Sequence, residues 1–249
     1  MKQIIFILIL LFTSNISLAQ RELSLSDKWM FFYYKNPQPD KLIENVRAMS
    51  KRGQLANVQT AGVIPAFLSQ VFAQNPGSID QWMTSLKDLP QNDLYTLYNA
   101  LWLSNTKEGR AVLTKAGLEM PGSAVPDLLT VEVNEPMLID ALWGYFMATG
   151  DTRIVRRVIS GFNYSKYQGA DERYKSSKQT EQDKQEAYKA VIFEAAKASL
   201  IDNCLMHTVV LASCEKLWKE KELNQAESLW LGAVLANVAP EKYRLEIKK

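Results

Sequence analysis

Residues 141–160 read ALWGYFMATGDTRIVRRVIS, and the fold turns on how this stretch is parsed. Leu138, Ala141, Leu142, Tyr145 and Thr149 fall at i, i+3, i+4 and i+7 spacings, and Trp143 and Met147 widen the stripe. That pattern predicts a helix that is apolar over much of its circumference and covered on more than one side. Gly150 suits the left-handed position just past a helix end, and Asp151 or Thr152 suits the cap of the next helix. Beyond the joint, Ile154, Val155, Val158 and Ile159 turn one way and Arg153, Arg156 and Arg157 the other. The stretch therefore reads as an αα-hairpin. Capping accounts for Asp151, although an acid at such a joint can also serve catalysis.

Similar pieces recur. AFLSQVFAQNPGSIDQWM from Ala66 has the same order of helix, tight joint and helix, with Asn75-Pro76 standing where Gly150-Asp151 stand. Ala100-Leu101-Trp102, Ala141-Leu142-Trp143 and Ser228-Leu229-Trp230 add a looser recurrence, with spacings of 41 and 87 residues. Periods of roughly 20–50 residues are the signature of stacked helical arrays, but Leu-Trp is also an ordinary core pair. Strand-like alternation is nearly absent after residue 24. Val131-Glu132-Val133 alternates but has no evident partner.

The chain opens with Lys2 and a nine-residue apolar run, Ile4 to Phe12, followed by TSNISLA. This is the pattern of a secretory leader over residues 1–19, with Ser17 and Ala19 placed for cleavage before Gln20. Nine apolar residues are too few to span a membrane, which takes about 20. The expected mature chain, residues 20–249, is one helical-repeat-like domain without an integral membrane segment, exported to the periplasm or secreted. Met120 to Pro136 carries three prolines and is expected to break the array, and residues 166–185 are so polar that a mobile loop is expected there. Lys and Arg number 29 against 27 Asp and Glu, a net charge of +2, so nothing favours binding to nucleic acid.

Few residues suggest chemistry. With one histidine, His207, the two-imidazole zinc motifs are excluded. Cys204, His207 and Cys214 share a helical face, but on one continuous helix the two cysteines would lie about 15 Å apart. They are therefore expected neither to bridge nor to share a metal, and no cofactor or metal is expected. Cys204, if near a helix N-terminus, would have a more reactive thiolate. No phosphate-cradling glycine loop or nucleophile elbow occurs. Asp127, Glu132, Glu135 and Asp140 read as solvated loop carboxylates, or alternatively as acids of a catalytic site.

The aromatic run WMFFYY offers Trp29, Tyr33 and Tyr34 as binding residues, or packs its rings into the core. Arg153, Arg156 and Arg157 can grip an acidic partner, or form a solvated helix face.

These helix-joint-helix units, with Leu-Trp, small residues and the Gly-Asp joint, resemble tetratricopeptide-like helical repeat proteins, and also exported helical proteins of Gram-negative bacteria. The resemblance implies an all-α fold of antiparallel helix pairs in an irregular superhelix, with a surface for a protein or peptide. The expectation is an adaptor or scaffold of the bacterial envelope without catalysis. The alternative is a secreted enzyme or effector with a site near residues 121–140.

Overall fold

The structure, a computed structural model, describes residues 23–118, 124–176 and 180–243. Residues 1–19, expected from the sequence to be a leader, lie outside the described residues, as do 120–123 of the proline-rich segment and 177–179 of the polar one. The described residues form helices and connecting turns and no strand. In chain order the helices are α1 (Leu25–Phe31), α2 (Leu42–Lys51), α3 (Val63–Gln74), α4 (Ile79–Leu86), α5 (Gln91–Ser104), α6 (Lys107–Lys115), α7 (Pro136–Thr149), α8 (Arg153–Ile159), α9 (Ala170–Ser176), α10 (Glu181–Met206), α11 (Thr208–Glu220), α12 (Gln225–Val238) and α13 (Pro240–Tyr243).

The Gly-Asp joint forms as its residues dictate. Gly150 closes α7 at φ +70°, where a side chain is strained, and Asp151 Oδ1 accepts from Arg153 N at 2.9 Å across the start of α8, whose N-cap Thr152 makes no side-chain bond. The matching piece from Ala66 forms α3, a short 3-10 turn at Pro76–Ser78, and α4. Three other helices begin with reciprocal capping boxes, Ser24 with Asp27, Thr180 with Asp183, and Asn224 with Glu227.

Two buried helices organise the packing. α3, almost wholly buried, lies between α5 and α7, so its main partners are distant in sequence rather than the next helix along the chain. Glycines permit this approach. A Cβ on Gly144 would stand 2.2 Å from the Val63 carbonyl oxygen, and one on Gly62 would stand 2.8 Å from Asp140 Cβ. α10 centres the second half, against α9, α11, α12 and the 3-10 stretch Ser160–Tyr167. One core joins both halves through contacts of α7 with α10.

Two expectations change. The polar stretch 166–185 is expected to be a mobile loop, or helical from Glu181 onward; α10 does begin at Glu181, but α9 occupies 170–176 where a loop is expected. Ala170 and Ala187 bury against α10's surroundings, and the Thr180–Asp183 box starts the helix without apolar help. The expected single helix through Cys204 and Cys214 is broken at His207, whose φ of −126° and ψ of 105° are extended. Neither Gly nor Pro makes this elbow. The imidazole is wholly buried among Phe32, Phe146 and Tyr34, with ring centroids 5.3, 5.2 and 5.7 Å away. Burial of the ring in that aromatic box favours the bend over helix continuation.

That burial has a pH signature. Loss of hydration, helped by the Lys35 charge, pushes the His207 pKa down to about 4 from its ordinary 6.5. Between those values the unfolded chain binds the proton and the folded chain does not, so stability is full above pH 6.5 and falls as pH drops towards 4. The full loss is about 3 kcal/mol. Melting temperatures recorded from pH 8 to pH 4 should show this acid-side fall, and His207→Phe should flatten it. Asp140 acts in the opposite sense, its carboxyl being pushed up to about 6 by the protein around it. Its side chain still reaches water, which keeps its opposing contribution small.

Candidate functional site: a half-open groove between α3 and α7

The proposed stripe on α7 proves to be two faces. Ile139, Leu142, Trp143, Phe146 and Met147 are buried, whereas Leu138, Ala141 and Tyr145 are only half covered and Met137 is 52 % exposed. Those four residues form one wall of a cavity of about 370 Å3. Gly62, Pro65, Ala66 and Ser69 of α3 and its approach form the facing wall, and Leu103 and Asn105 at the end of α5 close one side. Val125, Pro126, Asp127 and Leu128 supply the remaining side. The lining is mainly apolar.

The residues facing it from α3 and its approach are small: Ala66 offers only a methyl group, Pro65 has no amide hydrogen to satisfy, and Gly62 lets α7 pass close beside the groove. The irregular segment beside them is held by local hydrogen bonds. Asp127 Oδ1 accepts from Leu129 N at 2.9 Å, and the Asp127 carbonyl accepts from Val131 N at 2.9 Å, a turn built on the aspartate. Leu128 and Leu129 pack on the core and Val133 is buried.

The groove is polar only at a few points. Ser69 Oγ donates to the Ala66 carbonyl at 2.8 Å, so its hydroxyl is already engaged. Asp127 and Glu135 bring two exposed carboxylates to the lining, which contains no Lys or Arg. Asp140, with its raised pKa, stands against Gly62. Two cations stand at its edge: Arg110 donates to Asn105 of the lining, and Arg153 pairs with Asp151 at 2.6 Å while its charge also acts on Asp127 and Tyr145.

The residues singled out in the sequence as binding candidates go to other places. Trp29 and Tyr33 are core residues, edge-on to Phe67 at 5.1 and 5.4 Å, so they form no surface. Tyr34 is half-buried, lies against Gly150, and its hydroxyl is 3.3 Å from His207 Nδ1. The three arginines do not act as one patch. Arg153 folds back on Asp151, and Arg156 forms a two-pronged pair with the buried Glu227 at 2.9 and 3.0 Å. Arg157 donates to the Val131 carbonyl, so it ties the groove's irregular side to α8.

Cys204 also departs from expectation: it lies near the C-terminal end of α10 and is buried, so no helix N-terminus activates it. Of the stretch 121–140 proposed for an alternative site, residues 124–140 lie in the described structure and contribute much of the groove. Leu138, Ala141 and Tyr145 are legible as apolar but read as part of a covered stripe, and Met137 is not singled out. The available signal was the width of the stripe on α7, which exceeded what one packing partner covers.

Neither a family model, nor a curated protein, nor a solved structure matches this chain.

Proposed function

We propose that the chain is an exported helical binding protein whose α3–α7 groove takes an apolar side chain of a partner peptide or protein flanked by a basic residue. The observation that carries this reading is the half-open apolar face of α7: leaving Leu138, Ala141, Tyr145 and Met137 partly wet costs hydrophobic stabilisation that a bound apolar group would recover. Asp127 and Glu135 in the lining, with Asp140 beside Gly62, supply the charge that favours Lys or Arg next to that group. In this reading the two similar helix-joint-helix units, α3–α4 and α7–α8, are the paired elements of a tetratricopeptide-like surface, and α3 and α7 are its facing walls. The leader over residues 1–19 would deliver the protein to the bacterial envelope, where it would act as an adaptor. Intact mass of the protein recovered from an envelope fraction should then correspond to a chain beginning at Gln20.

The binding test is selection of peptides from a random library on the purified chain. The expected outcome is enrichment of sequences with a large apolar residue adjacent to Lys or Arg. Ala141→Trp fills the groove from a half-covered position and should weaken the selected peptides at least about tenfold, equivalent to about 1.4 kcal/mol, with the melting temperature little changed. Asp127→Asn with Glu135→Gln should remove most of the salt dependence of binding. Binding that survives Ala141→Trp unchanged would place the partner surface elsewhere and end this proposal.

A further inference from the structure

The elbow at His207 turns α11 back so that Cys204 and Cys214, ten positions apart in sequence, bring their Sγ atoms to 3.6 Å. Both are free thiols and both are buried, at 3 % and 0 % exposure. A disulfide needs the sulfurs at about 2.05 Å, so about 1.5 Å of approach separates this dithiol from a bond. A metal is the other usual reason for two cysteines to meet. Among the described residues no cluster of three His, Cys, Asp or Glu surrounds them, and the adjacent His207 ring is spent on its aromatic box.

We propose that Cys204 and Cys214 are an internal disulfide site that is oxidised while the chain folds in an oxidising medium. The oxidant is a disulfide donor, either a small-molecule disulfide or an oxidised protein dithiol. The thiolate of one cysteine attacks a donor sulfur, the donor's S–S bond breaks, and the first donor thiol leaves. The second cysteine attacks the resulting mixed disulfide, forms the Cys204–Cys214 bond and releases the second donor thiol. Two electrons pass to the donor, which ends as two thiols.

The folded state is a poor substrate for this exchange. No donor reaches sulfurs so buried, and the Cys214 thiol is held protonated by its hydrogen bond with Cys204, by burial and by the negative charge of Glu215. Oxidation therefore belongs to the stage when the elbow is bringing the thiols together and the surrounding packing has not yet sealed them, and the native protein keeps the redox state in which it folded. This inference rests on the cysteine geometry and stands apart from the groove reading and from export.

The experiment refolds the denatured, reduced full chain in a mixture of oxidised and reduced glutathione, and in parallel in reduced buffer. Each sample is quenched in acid and alkylated under denaturing conditions, and its intact mass is measured. Oxidative refolding should give a monomer lighter by about 2 Da with no alkylated thiol, melting about 5–10 °C above the reduced form. The native reduced chain in the same glutathione mixture should keep two alkylatable thiols over the same period. Cys214→Ser refolded oxidatively should show no rise in melting temperature. Two free thiols after oxidative refolding, a persistent glutathione adduct, or a disulfide-linked dimer would overturn the site. Equally fast oxidation of the native chain would overturn its assignment to folding.

Discussion

Gly144→Ala is expected to destabilise the protein by about 3 kcal/mol or more, a fall of roughly 6–12 °C in melting temperature for a chain of this size. An exposed helical glycine replaced by alanine would gain up to about 1 kcal/mol from propensity, so the sign of the effect is itself a test. At position 144 the added Cβ meets the Val63 carbonyl oxygen at 2.2 Å, Phe67 N at 3.0 Å and Ala66 Cβ at 3.1 Å. Two of these are backbone atoms of α3, which cannot rotate away as a side chain tip could. α3 would have to move bodily, and its other side is packed on α5. Because the same two helices form the groove walls, the variant should also lose peptide binding under conditions in which it is still folded. Gly77→Ala is the control: nothing lies within 4 Å of its Cβ, and a change within about 0.5 kcal/mol is expected. Thermal and urea unfolding followed by far-ultraviolet circular dichroism measure both. A stable, peptide-binding Gly144→Ala protein would mean that α3 and α7 do not meet as described.

Glu227→Ala has the second largest expected effect, about 3 kcal/mol. The Glu227 side chain is 2 % exposed and accepts from both Arg156 guanidinium nitrogens, from Asn163 Nδ2 at 3.2 Å and from Asn224 N at 3.2 Å. Truncation removes half of the capping box that starts α12 and the acceptor of the Asn163 amide, which is exposed and can turn to water instead. Arg156 is 41 % exposed and can rehydrate, which keeps the cost at the lower end of the range for a broken buried pair. Arg156→Ala leaves the carboxylate buried with only its amide partners and should cost about 2 kcal/mol. The double variant should be less destabilised than the sum of the singles by about 1–2 kcal/mol, since the second change removes a group already without its partner. Additive losses in urea titrations would show that the pair contributes nothing of its own.

Local features were legible where the cause was local. The Gly150 helix end and the role of Asp151 at the joint each depend on a few adjacent residues, and the left-handed Gly150 and the Asp151–Arg153 bond both appear in the structure. Where the reading went wrong, the missing information lay far along the chain. Arg156 read as a solvated or partner-facing cation, because its buried counterion is 71 positions away. Arg157 looked equivalent, yet it ends on the Val131 carbonyl and braces the groove. Asp140 read as a solvated loop carboxylate; it is exposed, but it stands on α7 beside Gly62 with its pKa raised.

By itself the sequence determined that the described chain is helical, where several of its helices start and stop, and which residues are apolar enough to pack, since spacing, caps and left-handed glycines act within a turn or two of the backbone. Only the tertiary structure decided which apolar face of α7 is covered and which lines a groove, that His207 bends the chain, and that two thiols ten residues apart touch. Periodicity reports that a face is apolar. What covers it depends on contacts between segments distant in sequence, and at Gly62 and Gly144 on whether two backbones can approach closely enough to make them.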